Sequence, residues 1–269
     1  MNADAQLREL CWQVFRKIQR FDADHRKFSE GFNFSYSPEK SWKITTDILL
    51  LTIQPKGHGQ ISIPAAPWPA TNDFFTPLKD KTFQERLLTI PAELARSRKR
   101  PVTAPLWRDR GLETFVDSSM VIASFIPFRT RPEVKDRDWR EDRLAFAQAQ
   151  CWARILRDWQ PRLILAAGRV PYVGIRGIFE HMSWDIFREP VPDGPAPEDH
   201  LPALYKKKFH ICRCETSSRK TIYLLGMPNP SAQGPTVYPR KADPFPPGEA
   251  PVQKFLRAAL GAYPLLTEH

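Results

Sequence analysis

Residues 45–53 read TTDILLLTI. A near-continuous apolar run of this length leaves no polar face for water, so it suits a strand covered on both sides, as in a parallel sheet. The pattern recurs in SSMVIASFI at 118–126, PRLILAAG at 161–168 and KTIYLLGM at 220–227. Helical spacing lies between and around these runs. Leu7, Leu10, Cys11, Val14, Phe15 and Ile18 form one buried stripe near the start. Residues 82–97 predict a helix interrupted at Pro91, and residues 139–159 a helix stopped by Pro161, with Leu144, Ala147, Cys151, Ile155 and Trp159 on one face. A last helix spans 250–263. Strands alternating with helices predict an α/β fold, a doubly wound, mostly parallel four-stranded sheet flanked by helices.

The chain of 269 residues has length for one sizeable core, and one domain over 1–269 is expected. Its 27 prolines cluster at 188–202 and 239–251, read as rigid surface loops, the first within a Pro-rich surface insertion at about 188–210. Forty Lys and Arg against 30 Asp and Glu leave a formal charge of +10, which suggests a polyanionic partner, because basic groups that meet phosphates release condensed counterions. No apolar run approaches the roughly 20 residues of a membrane span, and the first residues lack a basic start followed by an apolar block; a cytoplasmic monomer away from membranes is the expectation. Cys11 and Cys151 fall on apolar helix faces, while Cys212 and Cys214 alternate in a strand and point the same way. A metal there would need two further ligands that are not evident, so neither metal nor cofactor is expected.

In an open α/β sheet, ligands bind outside the carboxyl ends of the strands. Four loops are thereby selected: Thr52 to Gly59, Ser124 to Thr130, Ala167-Gly168-Arg169, and Met227 to Gly234. The first resembles the strand and G-x-[D/N/E]-P-[G/Y] motif of the uracil-DNA glycosylase superfamily. The last is similar to the M-P-S-S-S-A motif of its mismatch-specific branch, matching at Met227, Pro228, Ser231 and Ala232. Asn72-Asp73-Phe74-Phe75 resembles that branch's N-x-F-W segment, and LILAAGRV the strand and Gly-Arg turn before the final motif. The pieces come in family order over roughly residues 45 to 240.

The resemblance implies a DNA glycosylase that flips a nucleotide from the duplex and hydrolyses its N-glycosidic bond. Such an enzyme holds a water against the sugar and places donors against the departing base. The catalytic candidates are Gln54, Asp73 and His58. Pro55, Phe74, Phe75, Ser124 and Met227 would contact the flipped base, with one phenylalanine stacking on it. Arg129, Gly168, Arg169, Pro228, Asn229, Pro230, Ser231, Gln233 and Arg240 would contact DNA. Further basic clusters stand at Arg96, Arg98, Lys99 and Arg100 and at Lys206 to Lys208.

Three positions depart from the family pattern. Gln54 stands where uracil enzymes have Asp and mismatch enzymes Asn; it can orient a water but is no base at neutral pH. Ser124 replaces an Asn that reads uracil, and Met227 replaces the His that stabilises the uracil anion. These changes imply a roomier pocket and a modified pyrimidine, such as a bulky substituted cytosine of the kind phages carry, and with it a role in phage defence. They equally fit a relative that binds DNA or traps abasic sites without turnover. A nucleotide-binding metabolic enzyme is disfavoured, because neither G-x-G-x-x-G after the first strand nor G-x-x-x-x-G-K-[ST] occurs.

Overall fold

The structure, a computed structural model, describes residues 2–54, 64–76, 81–193, 201, 203–231, 238 and 250–263. The four expected strands are present: β2 (Ile48–Thr52), β3 (Met120–Ser124), β5 (Leu163–Ala167) and β8 (Thr221–Met227), numbered in chain order. They pair in parallel in the order β3-β2-β5-β8. The sheet has six strands rather than four, because β7 (His210–Glu215) adds antiparallel to β8 and β6 (Asp185–Glu189) antiparallel to β7. Strand β6 escapes a reading by apolar runs because its alternate residues are exposed. Its last two residues and the first of β7 lie inside the span expected to be a Pro-rich insertion, so the loop proper is the connection between those strands. Away from this sheet, β1 (Ser29–Phe32) and β4 (Phe128–Thr130) form an antiparallel ribbon.

Both faces of the parallel strands are buried, which accounts for their uninterrupted apolar character. Leu49, Leu51, Val121, Ala123, Ile164 and Ala166 face one core, with α1 (Ala3–Asp24), a long helix over Arg137–Asp158, and α6 (Arg169–His181). Their neighbours Ile48, Leu50, Ile122, Leu163 and Leu165 face the other, with α2 (Lys81–Ser97), α3 (Arg110–Ser119) and α8 (Pro251–Ala262). Helices α4 (Arg137–Phe146) and α5 (Ala153–Asp158) are the two ends of the long helix, joined by a π-helical segment, Ala147–Trp152. The wider turn keeps Ala147, Cys151, Trp152 and Ala153 all buried, which a regular 3.6-residue repeat would not. A short turn, α7 (Ala203–Lys206), precedes β7.

Helix α2 runs unbroken through Pro91. Residues Leu87 to Ala95 are buried on every side of it, so tertiary packing overrides the missing backbone donor. The large indoles are each satisfied: Trp152 Nε1 donates to the Phe125 carbonyl at 2.8 Å and Trp159 Nε1 to that of Thr46 at 3.0 Å. Cys212 and Cys214 do point the same way, into the core beneath α6, where burial pushes their thiols up to about 11 and about 12. Among the described residues no group of three His, Cys, Asp or Glu could hold a metal, and no helix is long and apolar enough to cross a membrane.

Helix α6 lies so close to the end of β3 that a Cβ on Gly174 would come within 2.1 Å of the Phe125 ring. Gly174→Ala should therefore destabilise the fold by about 3 kcal/mol, as overpacking in a buried site does. Chemical denaturation would reveal it; a loss below about 0.5 kcal/mol would mean that the helix shifts freely.

Candidate functional site

The chain leaves β2 toward β3 on one side and leaves β5 toward β8 on the other. The loops above those two neighbouring strands diverge, which opens the crevice expected of such a switch point. It is a cavity of about 170 Å³ lined by Thr52, Ile53, Gln54, Phe83 and Asn229. That is below the roughly 300–1,000 Å³ of drug-sized sites, and suits one ring rather than an extended ligand.

Close backbone approach makes the crevice. Gly168 follows β5 with φ +135°, its N–H donates to the Met227 carbonyl at 2.8 Å, and a Cβ there would meet Ile53 at 2.8 Å. The loop after β8 is pinned to α2, where Arg86 donates to the Pro230 carbonyl at 2.9 Å, and to Tyr238, whose hydroxyl donates to the Pro228 carbonyl at 2.8 Å.

Two amides line the crevice, and their partners orient them. Gln54 Oε1 accepts from Arg143 at 3.0 Å, and Arg143 also donates to Thr130 Oγ1 at 2.6 Å. Asn229 Oδ1 accepts from both the N–H and the hydroxyl of Ser231, at 3.1 and 3.0 Å. Each amide thus has its oxygen engaged and, among the described residues, no partner on its NH₂, so the crevice can offer donors. Arg143 has no carboxylate partner among the described residues, and burial lowers its pKa. Sequence reading passed over Arg143 and Phe83 because each sits in an ordinary helical pattern; only the fold brings them to the strand ends.

Asp73 stands in a turn clamped to the same region. Its N–H donates to the Tyr36 carbonyl at 3.0 Å, and Gln84, next to Phe83, donates to the carbonyls of Phe74 and Thr76 at 2.6 and 2.7 Å. Burial raises the Asp73 carboxyl to about 6, against a hydrogen bond from Asn33 that favours its ionised form. Asn33 carries no motif and was not singled out in the sequence. The turn itself is closed by Asn72, whose Oδ1 accepts from the Phe74 N–H at 3.1 Å.

Other candidates are placed in the core. Phe74 is 1% exposed, with its ring on Tyr36 at 4.7 Å; Phe75 and Met227 belong to the same apolar cluster. Ser124 is fully buried and donates to Tyr36 Oη at 3.2 Å. Phe83, rather than Phe74 or Phe75, is the ring that lines the crevice. Arg129 is paired with Glu30 at 2.9 Å, whereas Arg169 is exposed beside the crevice. Arg96 in the last turn, and Arg98, Lys99 and Arg100 just beyond, stand at the far end of a 17-residue helix that starts at the crevice, about 20 Å away at 1.5 Å per residue. Lys206 is paired with Asp193 at 2.6 Å. Pro55, His58, Gln233 and Arg240 lie outside the described residues.

No family model matches the chain, and no curated protein or solved structure matches it either.

Proposed function

We propose that this protein is a DNA glycosylase of the uracil-DNA glycosylase type, acting on a flipped, modified pyrimidine. The observation that carries the reading is the crevice at the switch point, lined by two amide side chains, with a carboxyl of raised pKa in the turn that Gln84 ties to Phe83 of its wall. Breaking an N-glycosidic bond puts negative charge on the departing base, and preorganised N–H donors oppose that charge best. Gln54 and Asn229 would supply them to the base oxygens. A general base works best with a pKa near the operating pH, which favours Asp73 for holding the attacking water. Gln54 is thereby a base-binding residue in this reading, and the catalytic role passes to Asp73. A role in phage defence follows only if the base is a phage modification.

A second reading, a DNA-binding relative that does not turn over, is favoured by Arg143 occupying the amide oxygen that would otherwise orient a water. Incubation with duplexes carrying uracil, thymine mismatches or substituted cytosines, followed by cleavage at abasic sites, separates the two. Release of a substituted cytosine is the expected result. Release of uracil alone would overturn the substrate, and binding without any release would favour the second reading.

Binding itself should depend steeply on salt, falling by about 0.9 logarithmic units per logarithmic unit of salt for each phosphate neutralised. Titration of a fluorescent duplex at several salt concentrations measures it, and a flat response would remove DNA as the partner.

A further inference from the structure

A second cavity, about 850 Å³ and far larger than the crevice, opens between α6 and the β6–β7 hairpin. Tyr172, one of its lining residues, packs directly on Gly226 of β8, where a Cβ would come within 2.6 Å of the ring. Tyr172 also stacks on His210 at 5.1 Å.

The charge in this groove is uneven along its length. At one end Arg176 is paired with Glu180 at 3.1 Å. At the other stand Arg169 and Arg188, both exposed and neither with an acidic partner among the described residues, with His210 between strand and helix. His210 is half-buried, and burial together with the charges of Arg188 and Arg169 holds its pKa down. Topology puts this cationic end beside the crevice. Strand β7 starts where β8 ends, His210 pairing with Gly226, and β6 returns to finish there at Arg188 and Glu189. Arg169 immediately follows Gly168, whose neighbours are Ile53 and Asn229 of the crevice wall.

We propose that this end of the groove is a phosphodiester-binding site, which takes the backbone of the same strand whose nucleotide enters the crevice. The inference rests on the reading of DNA as partner and extends it from Arg169 of the Gly-Arg turn to Arg188 and His210, which no motif marks. Two guanidiniums without an acidic partner among the described residues repel each other at one end of this groove; an anion between them relieves that repulsion and favours a protonated His210 beside them. Arginine forks suit phosphate oxygens. Arg169 opens α6 beside the crevice wall, whereas Arg176, already paired with Glu180, lies seven residues or about 10 Å further along the helix. A backbone laid along α6 from the crevice would therefore meet Arg169 and Arg188 first. Val173, 49% exposed at the rim, presents no charge to oppose it.

The test compares the salt dependence of duplex binding for the wild-type chain, R169A/R188A, R169K/R188K, and a control, R20A/R157A, that removes the same charge from exposed sites on other helices. Loss of two phosphate contacts should lower the salt slope by about 1.8 in R169A/R188A, at about 0.9 per phosphate. The lysine pair should keep most of the slope, and the control should keep nearly all of it. Thermal melting of each variant checks that the fold is retained. A slope in R169A/R188A no lower than in the control would overturn the groove while leaving DNA binding intact. A flat wild-type response would instead overturn the partner reading on which the groove rests.

Discussion

Asp73→Asn is expected to abolish base release and, in the same molecule, to stabilise the fold. Removing a general base lowers rate by about 10²- to 10⁴-fold. The stability change has the opposite sign, for a reason that lies in the carboxyl's environment. Its folded-state pKa, about 6, is above that of the unfolded chain, so the folded state holds its proton more tightly. Stability from this group is therefore complete below about pH 4, declines as pH rises toward about 6, and stays lower above it. At neutral pH the native state carries the cost of a partly buried charge, and Asn removes it. A gain of about 1–2 kcal/mol is expected, discounted for the solvent that still reaches the site. Activity of the wild-type enzyme should rise with pH through about 6, because the ionised carboxylate does the work, and the Asn variant should lose that limb. Gln54→Ala should weaken turnover less, since it removes one of two amide donors and leaves the proposed base in place. Wild-type turnover in Asp73→Asn would refute the assignment of the base, and a destabilised Asn variant would refute the burial argument.

Gly168→Ala is expected to damage both stability and the crevice. At φ +135° and ψ 159° the residue sits in backbone space essentially reserved for glycine, which costs an L side chain about 1–3 kcal/mol. The added Cβ would also meet Ile53 at 2.8 Å. Ile53 lines the crevice, so its displacement changes the space that accepts a ring. A total loss of about 2–4 kcal/mol, with DNA binding weakened beyond what partial unfolding explains, is the expected result. Equilibrium denaturation together with duplex titration tests it. Substitution without effect on either would show that the β5–α6 turn rearranges at little cost.

These two residues illustrate different relations between sequence and structure. Gly168 was legible, because a glycine ending a buried strand and opening a helix has few other uses. The four parallel strands were legible for a similar reason: a strand buried on both faces must be apolar nearly throughout, and ILLLT, MVIAS, LILAA and TIYLLGM are, apart from a Thr or Ser at one end of three of them. So was the end of the sheet where a site should open, since parallel strands place their carboxyl ends together. Asp73 was legible only as a residue type in a motif. Its raised pKa arises from burial, which outweighs a hydrogen bond from Asn33, a residue about forty positions away in the chain.

The remaining site features were decided by tertiary contacts. An exposed or buried phenylalanine has the same letter, and only packing put Phe74 in the core and Phe83 at the crevice. The orientation of an amide is set by its partner, and the partner of Gln54 is an arginine 89 residues away. Strand β6, half exposed and rich in charge, takes its place from the edge that β7 offers it rather than from its own composition. What the sequence by itself determined about this protein is the pattern that forces burial, namely apolar runs, helical stripes and a glycine at a close approach. What only the tertiary structure decided is which polar groups meet, because hydrogen bonds and charge interactions act over a few ångströms in space and are indifferent to distance along the chain.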